Sequence, residues 1–516
     1  MISRLVHFCQ FAVAVLAGPC ERRQGGAGIA IVSAGSGFSA TVANRLRRLM
    51  CRSCPCRIIA FRRWREISSA DVLIWLGLFE PTRAQYMMIR RFCAQRGRLV
   101  VFDGSSSRLA RMIGVRVRER RIASRAGEWS RAVFPAGPFL EREVSILQEP
   151  MELRRIEPIP GRGRVAGYWV DREGHSAGCA ACICSDSGFW LSMSAAAFGC
   201  EDEVAAERVL AAICGVAHCR IPDVDAVPIP ADMPVMEDGE VHAVWIKNIR
   251  GLVPGDWAGT VSKLSAAGVT DVFLRVMGGS MVSYVSTVLP VSREFEIEGD
   301  LVREAIREAH VAGIRVHGWF CCFPIHLPTA TGWVESLQSA IDEFVERYRP
   351  DGVHLDYVRW QESARQPCAA VETVTSLVAG IRRRLPRATI LSAAVFGAYP
   401  ACVATVAQDW MSWLEQDLID YAVPMNYTAD MRTFALLVGC QAKHRGCASR
   451  IVAGIGVTAD ESVLDARQVI GQIRLARKAR LAGTALFSLN TTVEQRIFPW
   501  LGGGVWHAAG RGGRLA

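Results

Sequence analysis

The segment PDGVHLDYVRW, from Pro350 to Trp360, places a histidine, two aspartates and an arginine within an otherwise apolar run. Successive side chains of a β-strand point to opposite faces. Val353 and Leu355 therefore share one face, and His354 and Asp356 share the other. In an α/β barrel the apolar face packs on the helices. The polar pair then points into the lumen, with Asp356 near the carboxyl end of the strand, where such barrels carry their active sites.

Seven other segments in the second half of the chain have the same strand-like character. The eight predicted strands lie within residues 241–249, 270–278, 314–322, 351–360, 388–397, 420–428, 450–458 and 483–491. Helical patterns separate most of them, at Trp257–Ala267, Asp300–Ala312, Trp333–Tyr348, Ala370–Leu385, Met431–Lys443 and Glu461–Leu481, with a shorter segment at 409–418. About eight β-α units in about 260 residues predict a (β/α)8 TIM barrel.

The same alternation, applied to the two preceding strands, predicts that Arg275, His317 and Trp319 also face the lumen. Arg275, His317 and Asp356 would then converge from strands two, three and four. A buried ion-pair network that only stabilises the barrel would have a similar composition, because buried charge requires compensating partners. We favour a functional site, since the polar residues cluster toward one end of each strand together with Trp319 and Trp360. Aromatic faces with carboxylates and an arginine suit a sugar-binding groove.

Glycoside hydrolysis usually requires two carboxyl groups. Asp356 is the first candidate, as a nucleophile or as an electrostatic stabiliser, held ionised by His354 or Arg275. The candidates for the second carboxyl group follow later strands or strand four itself: Glu362, Asp430, Asp460 and Glu461. We favour Glu362, which follows strand four directly. The two acids after strand seven would more commonly cap the next helix.

Several polar side chains near the strand ends are candidates for substrate binding. They are Arg275, His317, Trp319, His354, Arg359, Lys247, Asn426 and Tyr427. We expect Trp245 to belong to the core, Asp351 to be structural at the far end of its strand, and His310 to bond a backbone group. We expect no catalytic metal site and no cofactor, because the spacing of histidine and acidic residues does not indicate one.

The sequence of the first half predicts a smaller α/β domain with a parallel sheet over residues 27–218. Strand-like segments at 27–35, 71–77 and 98–104 alternate with helical patterns at 38–50 and 81–97, and strands and turns continue from about 140 to 200. Residues 219–240 are rich in proline and acidic side chains, which is typical of a linker. The barrel then occupies residues 241–500, and 501–516 form a tail.

Composition excludes several classes of protein. Of the 516 residues, 50% are apolar and 21% are charged, so the chain is globular rather than disordered. The net charge of +10 is spread along the sequence without a long basic run or an aromatic-basic motif, so we expect no nucleic-acid partner. The 18 cysteines include two similarly spaced clusters, Cys51/Cys54/Cys56 and Cys179/Cys182/Cys184. A metal site and disulfides are two alternatives for these clusters, but the apolar run CAACIC favours buried thiols.

Residues 1–26 are a candidate signal peptide or N-terminal extension. One arginine precedes an apolar stretch that ends in small residues, although a buried first element would have a similar pattern. Cleavage near residue 18 would place the protein in the periplasm or outside the cell, where disulfides can form. Without cleavage it would be cytoplasmic. The stretch is too short for a stable membrane span, which requires about 20 residues.

Three segments of the barrel half resemble one known family. YVSTVLPVSREF, AIREAHVAGIRVHGWF and DGVHLDYVRW are similar to segments of the bacterial glycosyl-hydrolase-like proteins of the family-ten type. The resemblance implies a TIM barrel that cleaves or binds a carbohydrate polymer, including glycans of the cell envelope. A non-catalytic carbohydrate-binding barrel and a structural envelope protein are the alternatives.

The segment RGRLVVFDG in the first half resembles the glutamine-amidotransferase-like domains attached to some bacterial sugar hydrolases. No G-x-C-x-G nucleophile elbow is present in this half of the sequence. The resemblance therefore implies a structural or binding role for the domain rather than amidotransferase activity.

Overall fold

The computed structural model describes fourteen stretches of the chain. They are residues 29–33, 42–44, 46–47, 56–60, 70–77, 80–195, 198, 203–215, 229–235, 237–324, 326–330, 332–360, 369–444 and 446–507. The described residues form two compact units, one within Gly18–Asp225 and one within Ala226–Ala516. The candidate signal peptide, Cys51 and Cys54 lie outside the described residues.

The first unit contains a nine-stranded sheet and a separate two-stranded ribbon. Its strands are β1 (Ile29–Ser33), β2 (Cys56–Ala60), β3 (Val72–Leu76), β4 (Arg98–Phe102), β5 (Val115–Ile122), β6 (Arg131–Phe134), β7 (Val144–Leu147), β8 (Glu152–Pro158), β9 (Arg164–Val170), β10 (Ser176–Ser185) and β11 (Gly188–Leu191). Its helices of seven residues or more, among those described, are α1 (Arg83–Ala94), α2 (Ser107–Ile113) and α3 (Glu203–Cys214). The strand order of the large sheet is β2-β1-β3-β4-β11-β10-β9-β6-β7, and β5 pairs with β8 in the ribbon.

The large sheet is parallel in one half and antiparallel in the other. β2, β1, β3, β4 and β11 pair in parallel, as the strand and helix alternation predicts. From β11 the sheet continues through antiparallel pairs to β7. The predicted α/β domain is therefore confirmed, with an antiparallel extension built from the strand-rich residues after position 130. β2 has no counterpart among the predicted strands.

Helix α1 shows how local sequence sets an element boundary. The Thr82 hydroxyl accepts from the Gln85 backbone N–H at 3.3 Å, and the Gln85 side chain accepts from the Thr82 N–H at 2.8 Å. This capping box satisfies backbone donors that the first helical turn leaves unpaired. Ile89 and Phe92 are buried on the same face as Gln85, so the apolar side of the helix packs inward as predicted.

The second unit is a closed barrel of eight parallel strands, which confirms the predicted TIM barrel. Its strands are β12 (Val241–Ile246), β13 (Asp271–Gly278), β15 (Arg315–Cys321), β16 (Gly352–Asp356), β17 (Ile390–Phe396), β18 (Tyr421–Met425), β19 (Val452–Gly456) and β20 (Gly483–Phe487), while the two-residue β14 (Met281–Val282) pairs antiparallel with β13. β12 pairs with both β13 and β20, which closes the barrel.

Helices lie between the barrel strands at the predicted positions, and four short ones, at Arg293–Glu298, Ala401–Val406, Thr491–Arg496 and Phe498–Trp500, have no predicted counterpart. The helices are α4 (Trp257–Ala266), α5 (Arg293–Glu298), α6 (Leu301–Val311), α7 (Trp333–Tyr348), α8 (Ala370–Arg384), α9 (Ala401–Val406), α10 (Trp410–Glu415), α11 (Met431–Gln441), α12 (Ala466–Lys478), α13 (Thr491–Arg496) and α14 (Phe498–Trp500). Helix α12 begins at Ala466, not at the predicted Glu461. Its N-cap is Asp465, whose side chain accepts from the Gln468 N–H at 2.9 Å. No helix in the described part of the chain is both long and apolar enough to cross a membrane.

Apolar side chains fill the middle of the barrel lumen. The cluster comprises Val241, Ala243, Trp245, Phe273, Trp319, Cys321, Ala394, Val423, Val452 and Ala485. Trp245 is 1% exposed, which confirms its predicted place in the core. Phe273 and Trp319 belong to the alternate faces that the sequence pattern assigned to the lumen. The barrel is therefore a packed core, and barrels of this kind carry their active sites at the carboxyl ends of the strands.

A charged network closes the opposite, amino-terminal end of the lumen. Asp271 accepts from Arg315 at 2.9 Å and contacts His317 Nε2 at 2.9 Å. His317 and Arg315 together hold the pKa of Asp271 at about 2, in spite of the opposing effect of burial. Asp351, at the start of β16, accepts from the Val316 N–H and contacts His310, both at 2.8 Å. His310 thus pairs with a carboxylate rather than with the backbone group that the sequence suggested.

The described part of the predicted linker is held against the barrel by charge. Asp232 contacts Arg474 and, at 2.7 Å, Lys478, both on α12. Glu240 accepts from Arg477 at 2.9 Å. The acidic composition of this segment therefore matches a row of basic side chains on a single helix.

Candidate functional site

Asp356 is the last residue of β16 and lies at the mouth, meaning the carboxyl end of the barrel strands. The side chain is buried, and Trp319 Nε1 donates to its Oδ2 at 3.1 Å. The backbone N–H of Tyr357 donates to its Oδ1 at 2.7 Å. Each carboxylate oxygen thus has a fixed donor, so the carboxyl group has a defined orientation.

The surroundings of this carboxyl group favour its protonated form. Burial raises the pKa of Asp356, and the opposing effects of the Arg359 charge, the Tyr357 N–H and the Trp319 indole do not cancel that rise. The sequence-based hypothesis that His354 or Arg275 would keep Asp356 ionised does not match this environment. A carboxyl group with a raised pKa is better suited to hold and donate a proton.

His354 lies in the lumen beneath the mouth and is held neutral. Trp245 Nε1 donates to His354 Nε2 at 3.0 Å, so that nitrogen is an acceptor and the proton resides on Nδ1, which lies 2.9 Å from Ser392 Oγ. Burial, and then the nearby His317, lower the pKa of His354 well below its usual range. His354 also stacks on Phe273 at 4.0 Å between ring centroids. Both ring nitrogens therefore have partners in Trp245 and Ser392, so His354 supports Trp245 and has no nitrogen left to bind Asp356.

The predicted convergence of Arg275, His317 and Asp356 is only partly present. Cys321 pairs in register with Asp356, so His317 lies four residues lower, about 13 Å along the strand. Its bond to Asp271 holds it at the amino-terminal end. Arg275 is exposed near the upper end of β13, close enough to the Cys321 thiol to oppose the rise in its pKa that burial causes.

Cationic and aromatic side chains form the rim around Asp356. The Arg359 guanidinium lies over the Tyr357 ring at 4.5 Å and over the Phe396 ring at 4.7 Å. Tyr357 has a left-handed backbone, with φ of 53°, a conformation that costs about 1–2 kcal/mol outside glycine. Such strain often accompanies functional positions. On the other side of the mouth, Lys247 Nζ lies 5.0 Å from the centre of the Phe487 ring.

Tyr427 faces the lumen at the end of β18. Its ring lies 5.3 Å from that of Phe487 and packs so closely on Gly456 that a Cβ atom there would be 2.8 Å from the Tyr427 ring. Gly456 is therefore needed for this close approach. The neighbouring Asn426 points elsewhere, since it exchanges amide hydrogen bonds with Gln441 at 2.8 and 3.2 Å.

The loop after β19 brings a second acid toward the mouth. A bridge between Thr458 and Val463 and a 2.6 Å bond from Ser462 Oγ to the Gly456 carbonyl fold this loop back over the strand end. Glu461, next to Ser462, is exposed. Burial, then the charges of Asp356 and Glu461, raise the pKa of the Tyr427 phenol. Tyr427 thus lies within electrostatic reach of both acids.

Asp460 and Glu461 were candidates for the second carboxyl group, although a helix cap was the commoner role expected of acids at this position. Because Asp465 is the actual cap of α12, residues 457–464 are free to form a turn at the mouth. Tyr357 and Phe487 were not among the predicted site residues. Both follow or end a barrel strand, and that position is the signal that could have identified them. Glu362, the predicted second carboxylate, lies outside the described residues.

Potential metal ligands cluster in the first unit instead of the barrel. Among the described residues, Asp171, Glu173 and His175 form a group of three close enough to share an ion. Arg125 donates to Asp171 at 2.7 Å and lies 3.7 Å from Glu173, so a cation already occupies this acidic turn. Cys182 and Cys184 are buried in β10 with free thiols, and Cys179 is partly buried.

Removing the indole donor to Asp356 should change the titration of that carboxyl group. We expect Trp319→Phe to raise the pKa of Asp356 further, because a hydrogen bond to the ionised form is lost. We also expect the stability at neutral pH to fall by about 1–3 kcal/mol, since a buried acceptor loses its partner. Carbon-13 NMR of the Asp356 carboxyl group measures the titration directly.

Trp413→Phe is the matched control for this experiment. The Trp413 indole donates to Thr375 Oγ1 at 2.9 Å and is buried away from the mouth. The Asp356 titration should be the same as in the native protein. An unchanged Asp356 pKa in Trp319→Phe would show that the indole does not bind the carboxylate.

Comparison with known proteins gives similarities to solved structures alone. No protein-family model matches the sequence, and no curated protein matches it. The spore cortex-lytic enzyme SleL of Bacillus cereus is 10% identical, with a TM-score of 0.38 over 51% of this chain and 73% of that chain. A family GH18 chitinase from Cycas revoluta is 12% identical, with a TM-score of 0.40 over 52% and 99%. A GH18 chitinase from Pseudoalteromonas aurantia is 17% identical, with a TM-score of 0.37 over 50% and 98%. Similarities this low carry no argument about activity, so the proposal below rests on the residues of the barrel itself.

Proposed function

We propose that the barrel is a glycoside hydrolase that cleaves a polysaccharide or a cell-envelope glycan at its mouth. The observation that carries this proposal is the buried, oriented carboxyl group of Asp356 at the carboxyl end of β16. Such barrels place their catalytic groups at that end. The raised pKa of Asp356 suits the proton donor that a leaving glycosidic oxygen requires.

The groups around Asp356 have the chemistry of a sugar-binding surface. Tyr357, Tyr427 and Phe487 offer aromatic faces, and Arg359, Lys247 and Arg275 offer donors for sugar hydroxyl groups. Ring faces of this kind bury the apolar face of a pyranose, while charged donors orient its oxygens. Trp319 acts through Asp356 as a positioning residue. His317, His354 and Asn426 support the barrel from positions away from this surface.

A second carboxyl group is required, and two candidates remain in the proposal. Glu362 follows β16 in the sequence and keeps its predicted role. Glu461 is supported by its position in the folded loop after β19 and by its charge, which acts on the Tyr427 phenol together with that of Asp356. An exposed carboxylate at this position would serve as the base or nucleophile that complements the proton donor.

The proposal includes membership of the family-ten type of glycosyl-hydrolase-like proteins. It rests on the order of the three similar segments, which the barrel arranges around β13, β15 and β16. The amidotransferase-like assignment of the first unit also stays a proposal, with a structural or binding role. We propose residues 27–218, 219–240 and 241–500 as domain, linker and barrel.

A non-catalytic carbohydrate-binding barrel is the second candidate. The aromatic and cationic rim would hold a glycan whether or not it is cleaved, and Glu461 is exposed instead of buried against Asp356. Incubating the native full-length protein with a panel of bacterial and plant polysaccharides distinguishes the two. Release of new reducing ends supports the hydrolase. Binding of a glycan with no release supports the binding barrel. If the protein neither cleaves nor binds any polymer of the panel, both candidate functions are overturned.

A further inference from the structure

Positive charge is concentrated in one part of the first unit. Residues 105–164 contain thirteen arginines against seven glutamates, in a chain whose total net charge is +10. Five of these arginines line an open concavity of about 850 Å³ beside the β5–β8 ribbon. They are Arg118, Arg120, Arg121, Arg154 and Arg155. The volume lies within the range of about 300–1,000 Å³ that is usual for ligand sites.

Strand pairing forces two of these arginines together. Arg120 and Arg154 are directly opposite each other in the antiparallel ribbon. Like charges in this position destabilise a strand pair. Both guanidinium groups contact the same carboxylate, Asp103, and the Arg154 contact is 3.6 Å long. Arg120 also lies 3.4 Å from Glu152, so the two arginines share two carboxylates.

A second acid, Glu157, lies close to three further arginines. Arg118 donates to Glu157 at 2.8 Å, and the side chains of both residues are substantially exposed. Arg116 is directly opposite Glu157, and Arg155 lies nearby on β8. These three arginines, Arg118 foremost, hold the pKa of Glu157 below its usual range. Each guanidinium carries five N–H donors, so the ribbon has more donors than its own carboxylates can accept.

We propose that the β5–β8 ribbon is a binding site for an anion that carries several adjacent phosphate groups. The planar guanidinium fork matches the oxygens of phosphate. Arginines follow one another along both strands of the ribbon, which suits an elongated anion better than a single ion. Ser105 and Ser107 add hydroxyl groups at the edge of the concavity. A free polyphosphate chain and a phosphodiester polymer both carry such groups.

The site is assembled from two strands that are far apart in the sequence. β5 and β8 are separated by two other strands, and neither contains a long run of basic residues. The expectation of no nucleic-acid partner rested on the absence of such a run, so it did not consider charge that pairing brings together. The proposal concerns the first unit alone and does not depend on hydrolase activity of the barrel.

Calorimetric titration of the full-length protein tests the proposal with two probes, inorganic tripolyphosphate and a single-stranded oligonucleotide of about 12 nucleotides. We expect binding that weakens as salt is added, because phosphate contacts release counterions. The Arg118→Gln/Arg155→Gln variant should lose roughly tenfold in affinity per arginine. Its slope of log K against log salt for the oligonucleotide should decrease by about 1.4.

Arg142→Gln is the control, since Arg142 is an exposed arginine of the same unit outside the concavity. It should bind both probes like the native protein. Tighter binding of tripolyphosphate would identify a free polyphosphate as the source of the phosphate groups, and tighter binding of the oligonucleotide would identify a phosphodiester polymer. Failure of both probes to bind at about 1 mM, or equal binding by the double variant and the control, would overturn the proposal.

Discussion

Asp356→Asn is expected to lower the rate of glycan cleavage by about 10²–10⁴-fold, which is the usual contribution of a general acid or base. Asparagine has nearly the same size, but its single oxygen can accept from only one of the two donors, Trp319 Nε1 or the Tyr357 N–H, and it carries no transferable proton. The loss should therefore appear in kcat, with KM little changed. Reducing-end release from the polysaccharide that the native protein cleaves gives both constants.

Asp342→Asn controls for the removal of a barrel carboxylate as such. Asp342 lies on α7, where it contacts Arg384 at the protein surface. Its variant should cleave at the native rate, because exposed ion pairs contribute little. Equal rates for Asp356→Asn and the native enzyme would remove Asp356 from the chemistry, and the hydrolase would then need a different proton donor.

Asp271→Ala is expected to reduce the free energy of unfolding of the barrel by about 1–3 kcal/mol. Asp271 is 2% exposed, and its removal leaves the buried His317 without the partner of its Nε2. A buried polar group without a partner costs its desolvation free energy, whereas the Arg315 side chain is 40% exposed and can be hydrated. Hydrogen exchange of the β13 and β15 amides measures the loss within the barrel.

In the native protein, the interaction of Asp271 with His317 and Arg315 should make the free energy of unfolding depend on pH. The pKa of Asp271 is about 2 when folded, whereas an unfolded aspartate has a pKa of about 3.9. The stabilisation is therefore complete above about pH 4 and is lost as the pH falls toward 2. Asp271→Ala should lack this part of the acid sensitivity. A variant with native exchange rates and native acid sensitivity would contradict the role assigned to the network.

The barrel itself was predictable because its signal is local. The strands show apolar alternation and the helices show their own period, so the order of elements and the inward face of each strand follow from the sequence. The position of a side chain along the barrel axis does not follow. His317 and Asp356 both face the lumen, but the pairing of β15 with β16 places them four residues apart in height. That register depends on packing between segments, which one strand cannot reveal.

The remaining features of the site depend on contacts between distant segments. The helix after β19 was predicted to begin at Glu461, whereas Asp465 with Gln468 forms the actual cap. The protonation of Asp356 could not be predicted because burial outweighs its donors only once the mouth is assembled. The arginine ribbon likewise exists only after β5 pairs with β8.

The central claim is that Asp356 donates a proton at the mouth of the barrel, and the pH dependence of kcat/KM tests it most directly. The raised pKa of Asp356 predicts that the rate falls as the pH rises through that pKa, at a pH above the range of an ordinary carboxyl group. An ionised partner carboxylate predicts a second fall at low pH. In Trp319→Phe the high-pH fall should move to still higher pH, because the lost indole had favoured the ionised form. A high-pH fall that is absent, or that stays in place in Trp319→Phe, would contradict Asp356 as the proton donor.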